Sequence, residues 1–388
     1  MNAGLPEKDY VALRDGVFDA IWKELDPLEH EIEENERIPY EKVWPVLREC
    51  GAFGLLVPRE YGGSGLSVTQ YLPIVAEFAK IQGGIRAAIH VHNSFAHALS
   101  EIGSAEHRAA VLPGAAVGEK SLAFALTEPE HGTGADLGTR AWRAGDEYVI
   151  NGRKWLITNS DFASHFLVMA KTTETEVSAF LVERDRPGLS VSGLPETMGC
   201  KGGEHGVVLL EDVRVPSAAL VGAEGEGQGH LERALEISRV FIAASSWGTS
   251  ERALELSRTY AQDRVTFGKP IAHRQAVQRY LAEMAIDVYA LRNMLLDAAT
   301  KWDAGRRIPA ESSMCKQFGL EAVGRVTDRA LLVHGGIGYT RRHSIERLYR
   351  DARLNWLEEG TPTIQYLVVA RELLAGYTFD DAWNSVRI

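Results

Sequence analysis

Apolar residues recur at helical spacing through Val11, Leu13, Val17, Ile21 and Leu25, and again from Val43 to Leu56. This pattern predicts helices, with Pro27, Pro39 and Pro45 breaking or starting segments. The glycines between Glu60 and Gly65 predict a loop. Ser67 is placed to cap a helix reaching about Ile81, and another apolar helix is expected from about Ile85 to Ile102. Near Lys120 the rhythm changes to short alternating runs. Glu147 to Ile150 and Lys154 to Thr158 flank Asn151-Gly152, which predicts a hairpin turn. Phe166 to Ala170, Ser178 to Val182 and Val207 to Val213 are further strand candidates. Beyond the glycine-rich stretch Gly222 to Gly229 the helical spacing returns. It predicts long helices over Leu231–Asp263, Gln275–Ala304 and Ala310–Leu332.

The order is α, then β, then α. It predicts an α+β chain, mostly α, with a helical domain over 1–121, a compact antiparallel β domain over 122–222 and a helical domain over 223–388. Without βαβα alternation a doubly wound sheet is not expected. Gly225, Gly227 and Gly229 do not complete G-x-G-x-x-G, because position 230 is His, so a Rossmann nucleotide site is not expected.

Composition narrows the classes. The 388 residues are 45% apolar and 24% charged, as in an ordinary globular protein with ample core. A net charge of −11 argues against a nucleic-acid partner. Cys50, Cys200 and Cys315 are far apart and fit no C-x-x-C spacing, which points to buried thiols rather than disulfides or a metal site. No apolar run reaches 18 residues, so no membrane span is expected. The polar start Met1 to Tyr10 has no secretion pattern, so a cytoplasmic location is the expectation.

Five segments carry candidate chemistry. Leu126-Thr127-Glu128-Pro129-Glu130-His131-Gly132-Thr133-Gly134-Ala135-Asp136 offers backbone amides and small hydroxyls for close approach to a phosphate or an aromatic cofactor edge. Lys154-Trp155-Leu156-Ile157-Thr158 sets an aromatic and a hydroxyl on one strand. Arg264-Val265-Thr266-Phe267-Gly268-Lys269-Pro270, followed by Gln275, offers a planar guanidinium suited to a pyrophosphate. His334-Gly335-Gly336-Ile337-Gly338 follows a helix, and Glu358-Glu359-Gly360-Thr361 sets a carboxylate before a glycine turn. Each alone is compatible with an ordinary turn or strand.

Together, in this order and spacing, they resemble the acyl-CoA dehydrogenase superfamily over essentially the whole chain. The resemblance implies an N-terminal helical domain, a central β domain and a C-terminal four-helix bundle, with FAD between the last two. It implies that Phe124, Leu126, Thr127, Thr133, Thr158 and Thr361 contact FAD. Arg264, Thr266, Phe267 and Gln275 would reach the FAD of an adjacent subunit, with Gly335 and Gly336 close by. A homo-oligomer, dimer or tetramer, follows. An acyl-CoA substrate and an electron-transferring flavoprotein are the implied partners. Glu359 takes the family's base position, with Glu358 its off-register neighbour. Some relatives place the base just before an Arg on the long helix, but here Ser238 precedes Arg239 and offers no carboxylate. Thr133, Arg239 and Gly360 would border the substrate. Filling of the pocket is expected to raise the Glu359 pKa by desolvation.

Three features depart from the family pattern. The loop after Pro129 is one residue short, with Gly134 where Asp is usual. Trp155 stands one place early, leaving Leu156 at the usual Trp position. Leu332 replaces a usual Gln.

The start of the helix around Arg86 resembles glutaryl-CoA dehydrogenases, where the matching Arg binds a distal carboxylate. That implies a short acyl chain with an anionic end; the alternative is an Arg whose head reaches water or a structural carboxylate. His90 and His92 sit two apart on a helix, on different faces, and are not expected to bind metal. Rival readings are an acyl-CoA oxidase, a desulfinase, a dehydrogenase of carrier-protein-bound acyl groups, or a non-catalytic thioester-binding protein.

Overall fold

The computed structural model describes residues 4–133, 136–193, 197–203 and 205–379. The departure at Gly134, like Ala135 beside it, lies outside the described residues. Six helices come first: α1 (Glu7–Ala20), α2 (Glu29–Asn35), α3 (Tyr40–Glu49), α4 (Val68–Phe78), α5 (Gly83–Ile102) and α6 (Ala105–Ala116). The helix expected from Val43 to Leu56 ends instead at Glu49. Gly51 there adopts a left-handed φ of 75°, which stops the helix before a short 3-10 turn. Ser67 does cap α4, its hydroxyl accepting from the Gln70 amide.

The central sheet holds β1 (Leu122–Ala125), β2 (Arg140–Ala144), β3 (Glu147–Ile157), β4 (His165–Lys171), β5 (Val177–Glu183), β6 (Leu189–Ser192), β7 (Gly206–Pro216) and β8 (Leu220–Val221). Its order is β6-β7-β3-β2-β4-β5-β8, with β1 joined to β4. Pairing is mainly antiparallel, as expected, with parallel pairs where β4 meets β1 and the start of β2. The hairpin expected at Asn151-Gly152 is corrected: these residues lie inside the continuous strand β3. The register against β7 shifts there, and Asn151 bonds both the amide and the carboxylate of Asp212. A Cβ on Gly152 would fall 2.3 Å from the Thr139 hydroxyl oxygen. The dipeptide serves a bulge and a close approach rather than a reversal.

The remaining chain forms α7 (Gly227–Asp263), the ribbon β9 (Val265–Thr266) with β10 (Lys269–Pro270), then α8 (Gln275–Asp303), α9 (Pro309–His334), α10 (Ile345–Ala352) and α11 (Pro362–Leu374). Helices α7, α8, α9 and α11 pack as a bundle around α9, and α4 lies across α7. That crossing is tight: a Cβ on Gly248 would lie 1.9 Å from the Ala76 carbonyl oxygen. One apolar core runs from Ile74, Ile85 and Ile89 of the first helices to Phe241 of α7 and Leu291 of α8. Shared burial of this kind fixes α5 against α7, where the cavity described next opens. Among the described residues no helix is long and apolar enough to cross a membrane, and no group of three or more His, Cys, Asp or Glu could hold a metal.

Candidate active site

A cavity of about 790 Å³ opens where α5, the ends of β1 and β3, α7 and the loop before α11 converge. Phe124, Leu126, Thr127, Thr133, Thr158, Arg239, Glu359, Gly360 and Thr361 all border it. The volume falls in the range of small-molecule and cofactor sites.

Glu359 is nearly buried and sits at a left-handed φ of 53°, followed by Gly360 at 93°. Its Oε1 accepts a 2.8 Å hydrogen bond from the Ser238 hydroxyl and lies 3.7 Å from His90 Nε2. Burial pushes its carboxyl up. His90, the Ser238 hydroxyl and the Lys316 ammonium outweigh that effect and hold it below the usual carboxylate value. The chain's own groups thus keep this carboxyl low and ionised. The loop itself is pinned from α9: Lys316 Nζ donates to the carbonyls of Glu358 and Gly360. Gln365 Nε2 donates to the Gly360 carbonyl at 2.9 Å. Burial drops the Lys316 ammonium to about 8. Burial likewise lowers Arg239, whose Nε reaches the Glu359 carbonyl at 3.4 Å.

Arg86, expected at the blind end of an acyl pocket, is not among the residues that border the cavity. Its buried guanidinium pairs with Glu358 at 3.0 Å and donates to Asn355 Oδ1 at 3.2 Å. A cation so compensated has no charge to spare for a substrate tail, and a second anion would have to displace Glu358. The same pair occupies Glu358 and leaves Glu359 as the carboxylate facing the cavity without an arginine bridge.

Strand ends supply another part of the lining. The Trp155 amide donates to the Thr127 carbonyl at 2.8 Å, which joins the end of β3 to the segment after β1. Leu156 stands at φ 57° with its side chain partly exposed on the cavity wall, so at this position an aliphatic replaces the expected aromatic surface. The Thr158 hydroxyl and His205 Nδ1 are 2.9 Å apart. His205 Nε2 is buried at the same wall with no hydrogen-bond partner among the described residues. An apolar wall with hydroxyls and an orphaned ring nitrogen fits a large heterocycle with a polar edge, and therefore fits FAD.

The structure does not bring Arg264, Thr266, Phe267, Gln275, Gly335 or Gly336 to this cavity. They lie on the α7–α8 ribbon, at the start of α8 and past the end of α9. Phe267 is 95% exposed beneath Arg274, whose Nη2 also bonds Thr266. Leu332 is exposed and faces a separate surface depression.

Sequence reasoning missed Ser238, His90, Lys316 and His205. Arg86, His90 and Ser94 stand four apart on one face of α5, a signal for His90 that spacing does carry. A single Lys among small and apolar residues on α9 was a signal for Lys316. His92, in contrast, turns to the Ala115 carbonyl at 3.0 Å and packs edge-on to Phe53.

The chain matches the models of the acyl-CoA dehydrogenase N-terminal domain at 7–119, middle domain at 123–213 and C-terminal domain at 225–374. It is 37% identical over 377 residues to the probable acyl-CoA dehydrogenase YngJ of Bacillus subtilis, spanning 95% of this chain and 98% of that protein. It is 36% identical over 360 residues to the acryloyl-CoA reductase (NADH) of Anaerotignum propionicum, spanning 90% and 91%. The FAD-complexed acyl-CoA dehydrogenase of Bacillus anthracis superposes with a TM-score of 0.86 at 31% identity, covering 96% of this chain and 68% of that one. Its cofactor is FAD, and the chain belongs to the acyl-CoA dehydrogenase family of oxidoreductases.

Proposed function

We propose that the protein oxidises an acyl-CoA thioester across its Cα–Cβ bond, with Glu359 as the base that removes the α-proton. The observation that carries this reading is a largely buried carboxylate, held below the usual carboxylate value, that lines the same cavity as Leu126, Thr127 and Thr158. FAD, when bound, supplies the acceptor for the hydride that leaves Cβ. Leu126, Thr127, Thr133, Thr158 and Thr361 would hold it from this chain. Arg264, Thr266, Phe267, Gln275, Gly335 and Gly336 would reach the FAD of a neighbouring subunit. The 95% exposure of Phe267 supports that assignment and with it a dimer or tetramer. Arg239 and Gly360 would border the thioester. A 33% identical relative, the caffeyl-CoA reductase-Etf complex subunit CarC of Acetobacterium woodii, supports an electron-transferring flavoprotein as the redox partner.

An α-C–H beside a thioester is a weak acid, so the base must be ionised and aimed before substrate arrives. Ser238 and His90 hold the Glu359 carboxylate from one side while Lys316 holds its loop. A filled cavity excludes water and strengthens the base by desolvation. Because Arg86 is already paired with Glu358, the acyl chain is assigned as uncharged.

The test is anaerobic bleaching of the yellow holoenzyme by propionyl-, butyryl-, isovaleryl-, hexanoyl-, cyclohexanecarbonyl- and glutaryl-CoA. A neutral thioester should bleach it best. Glu359→Gln should retain FAD absorbance and slow bleaching about 10²–10⁴-fold. Wild-type bleaching by that variant would remove Glu359 as base, and preference for glutaryl-CoA would return a distal anion to the pocket.

A further inference from the structure

With substrate in the cavity, the proton that Glu359 takes up has no open water beside it, and the chain carries a second way out. Glu359 Oε1 is 2.8 Å from Ser238 Oγ, which is 3.4 Å from His90 Nε2. The other ring nitrogen, Nδ1, is 3.4 Å from Ser94 Oγ. His90, Ser94 and Ser238 are all buried. Ser94 then borders a small crevice between α5 and α7, lined also by His97, Glu101 and Arg233. The crevice shares no lining residue with the main cavity. Its wall reaches solvent, because Glu101 and Arg233, paired at 3.3 Å, each keep about a third of their side chains exposed. A histidine bridged on both ring nitrogens by hydroxyls, with a carboxylate at one end and a narrow crevice edged by partly exposed side chains at the other, is built to pass protons.

We propose that His90 relays the proton captured by Glu359 through Ser94 to this crevice while the cavity is still filled. The inference rests on Glu359 being the base. The protonated carboxyl of Glu359 gives its proton to Ser238 Oγ as Ser238 passes its own to His90 Nε2. The carboxylate is restored and the imidazole becomes imidazolium. The imidazolium then releases its Nδ1 proton through Ser94 to water at the crevice, and a flip of the ring restores the starting tautomer. One proton moves from the carboxyl to bulk water and nothing is oxidised. The other charged groups around this end are Glu236 and Arg239 from α7, Glu358 from the loop and Lys316 from α9. Glu358 is held by Arg86, and Lys316 is held by the loop carbonyls, so neither offers a competing exit.

Exchange at Cα reads the relay directly. The probe is the thioester that bleaches the holoenzyme fastest in the panel above, deuterated at Cα. Return of the captured proton to the same carbon washes deuterium out only if Glu359 equilibrates with water before the cavity empties. Wash-out and bleaching are followed together, and their ratio is the readout. Ser94→Ala should bleach as the wild type does and lose at least tenfold in wash-out. His90→Gln should lower the ratio as far, whatever it does to bleaching itself. A structural role for His90 would slow both processes together and leave the ratio unchanged, which would overturn the relay. Should His90→Gln not fold, an unchanged ratio in Ser94→Ala overturns it alone. If Glu359→Gln still bleaches and exchanges, the base assignment fails. If that variant is inert while both relay variants exchange normally, only the relay fails.

Discussion

Ser238 Oγ donates a 2.8 Å hydrogen bond to Oε1 of Glu359, joining residues 121 positions apart in the chain. The hydroxyl stabilises the ionised form of the carboxylate proposed as the base. A hydrogen bond to a charged group contributes roughly 1.5–3 kcal/mol, so its loss should move the carboxyl pKa upward. In Ser238→Ala the acid limb of the pH–bleaching profile should therefore shift to higher pH. An unmoved limb would show that the hydroxyl does not tune the base.

The Arg86–Glu358 pair is buried, and breaking one half leaves the other charge uncompensated. Glu358→Ala should cost about 3–5 kcal/mol of stability. The double variant Arg86→Met/Glu358→Leu should recover much of that loss, as read by chemical denaturation. Neither change should raise activity toward glutaryl-CoA relative to butyryl-CoA.

Lys154 and Lys316 both lie in the interior, and burial lowers each to about 8. Below that value both ammonium groups are charged in the folded and unfolded chain, and the cost of burying them is fully present. Between about 8 and the ordinary lysine value of about 10.4, the folded state has shed protons that the unfolded chain still binds. Stability from these two groups therefore rises with pH through that window, by at most about 1.4 kcal/mol per pH unit for each. Lys316→Met should flatten the rise measured by denaturant titration at pH 8, 9 and 10. An identical slope in the variant would contradict the assignment.

Gly248 lets α7 cross α4 at backbone contact. Gly248→Ala would place its methyl 1.9 Å from the Ala76 carbonyl oxygen, a clash with main chain that no rotamer relieves. It should destabilise the fold by about 1–3 kcal/mol or more despite alanine's better helix propensity. A thermal midpoint equal to or above that of the wild type would show that the two helices can part freely.

Periodicity revealed the long helices because α7, α8 and α9 bury faces that repeat every three or four residues. The strand candidates were legible for the same local reason. Asn151-Gly152 misled because its turn propensity was overridden by the ladder to β7, about sixty residues away. The family segments pointed to Glu359 and to the Thr127–Thr158 wall, which the fold gathers at one cavity. Arg86 was legible as a buried cation, but its partner is 272 residues distant and no local pattern encodes such a pairing. Ser238 and His90 were hidden likewise: the residue types are ordinary, and their meaning comes only from what faces them across helices.

The left-handed turn at Glu359 sends two consecutive carboxylates to different destinations, one to an arginine and one to the cavity. Adjacent acidic residues invite the idea that either could substitute for the other. Here they cannot trade places, because Glu358 would have to abandon a buried cation to do so. A lesion at position 359 therefore has no understudy in its neighbour. Moving the proposed base one residue back, to position 358, would first require another anion for Arg86.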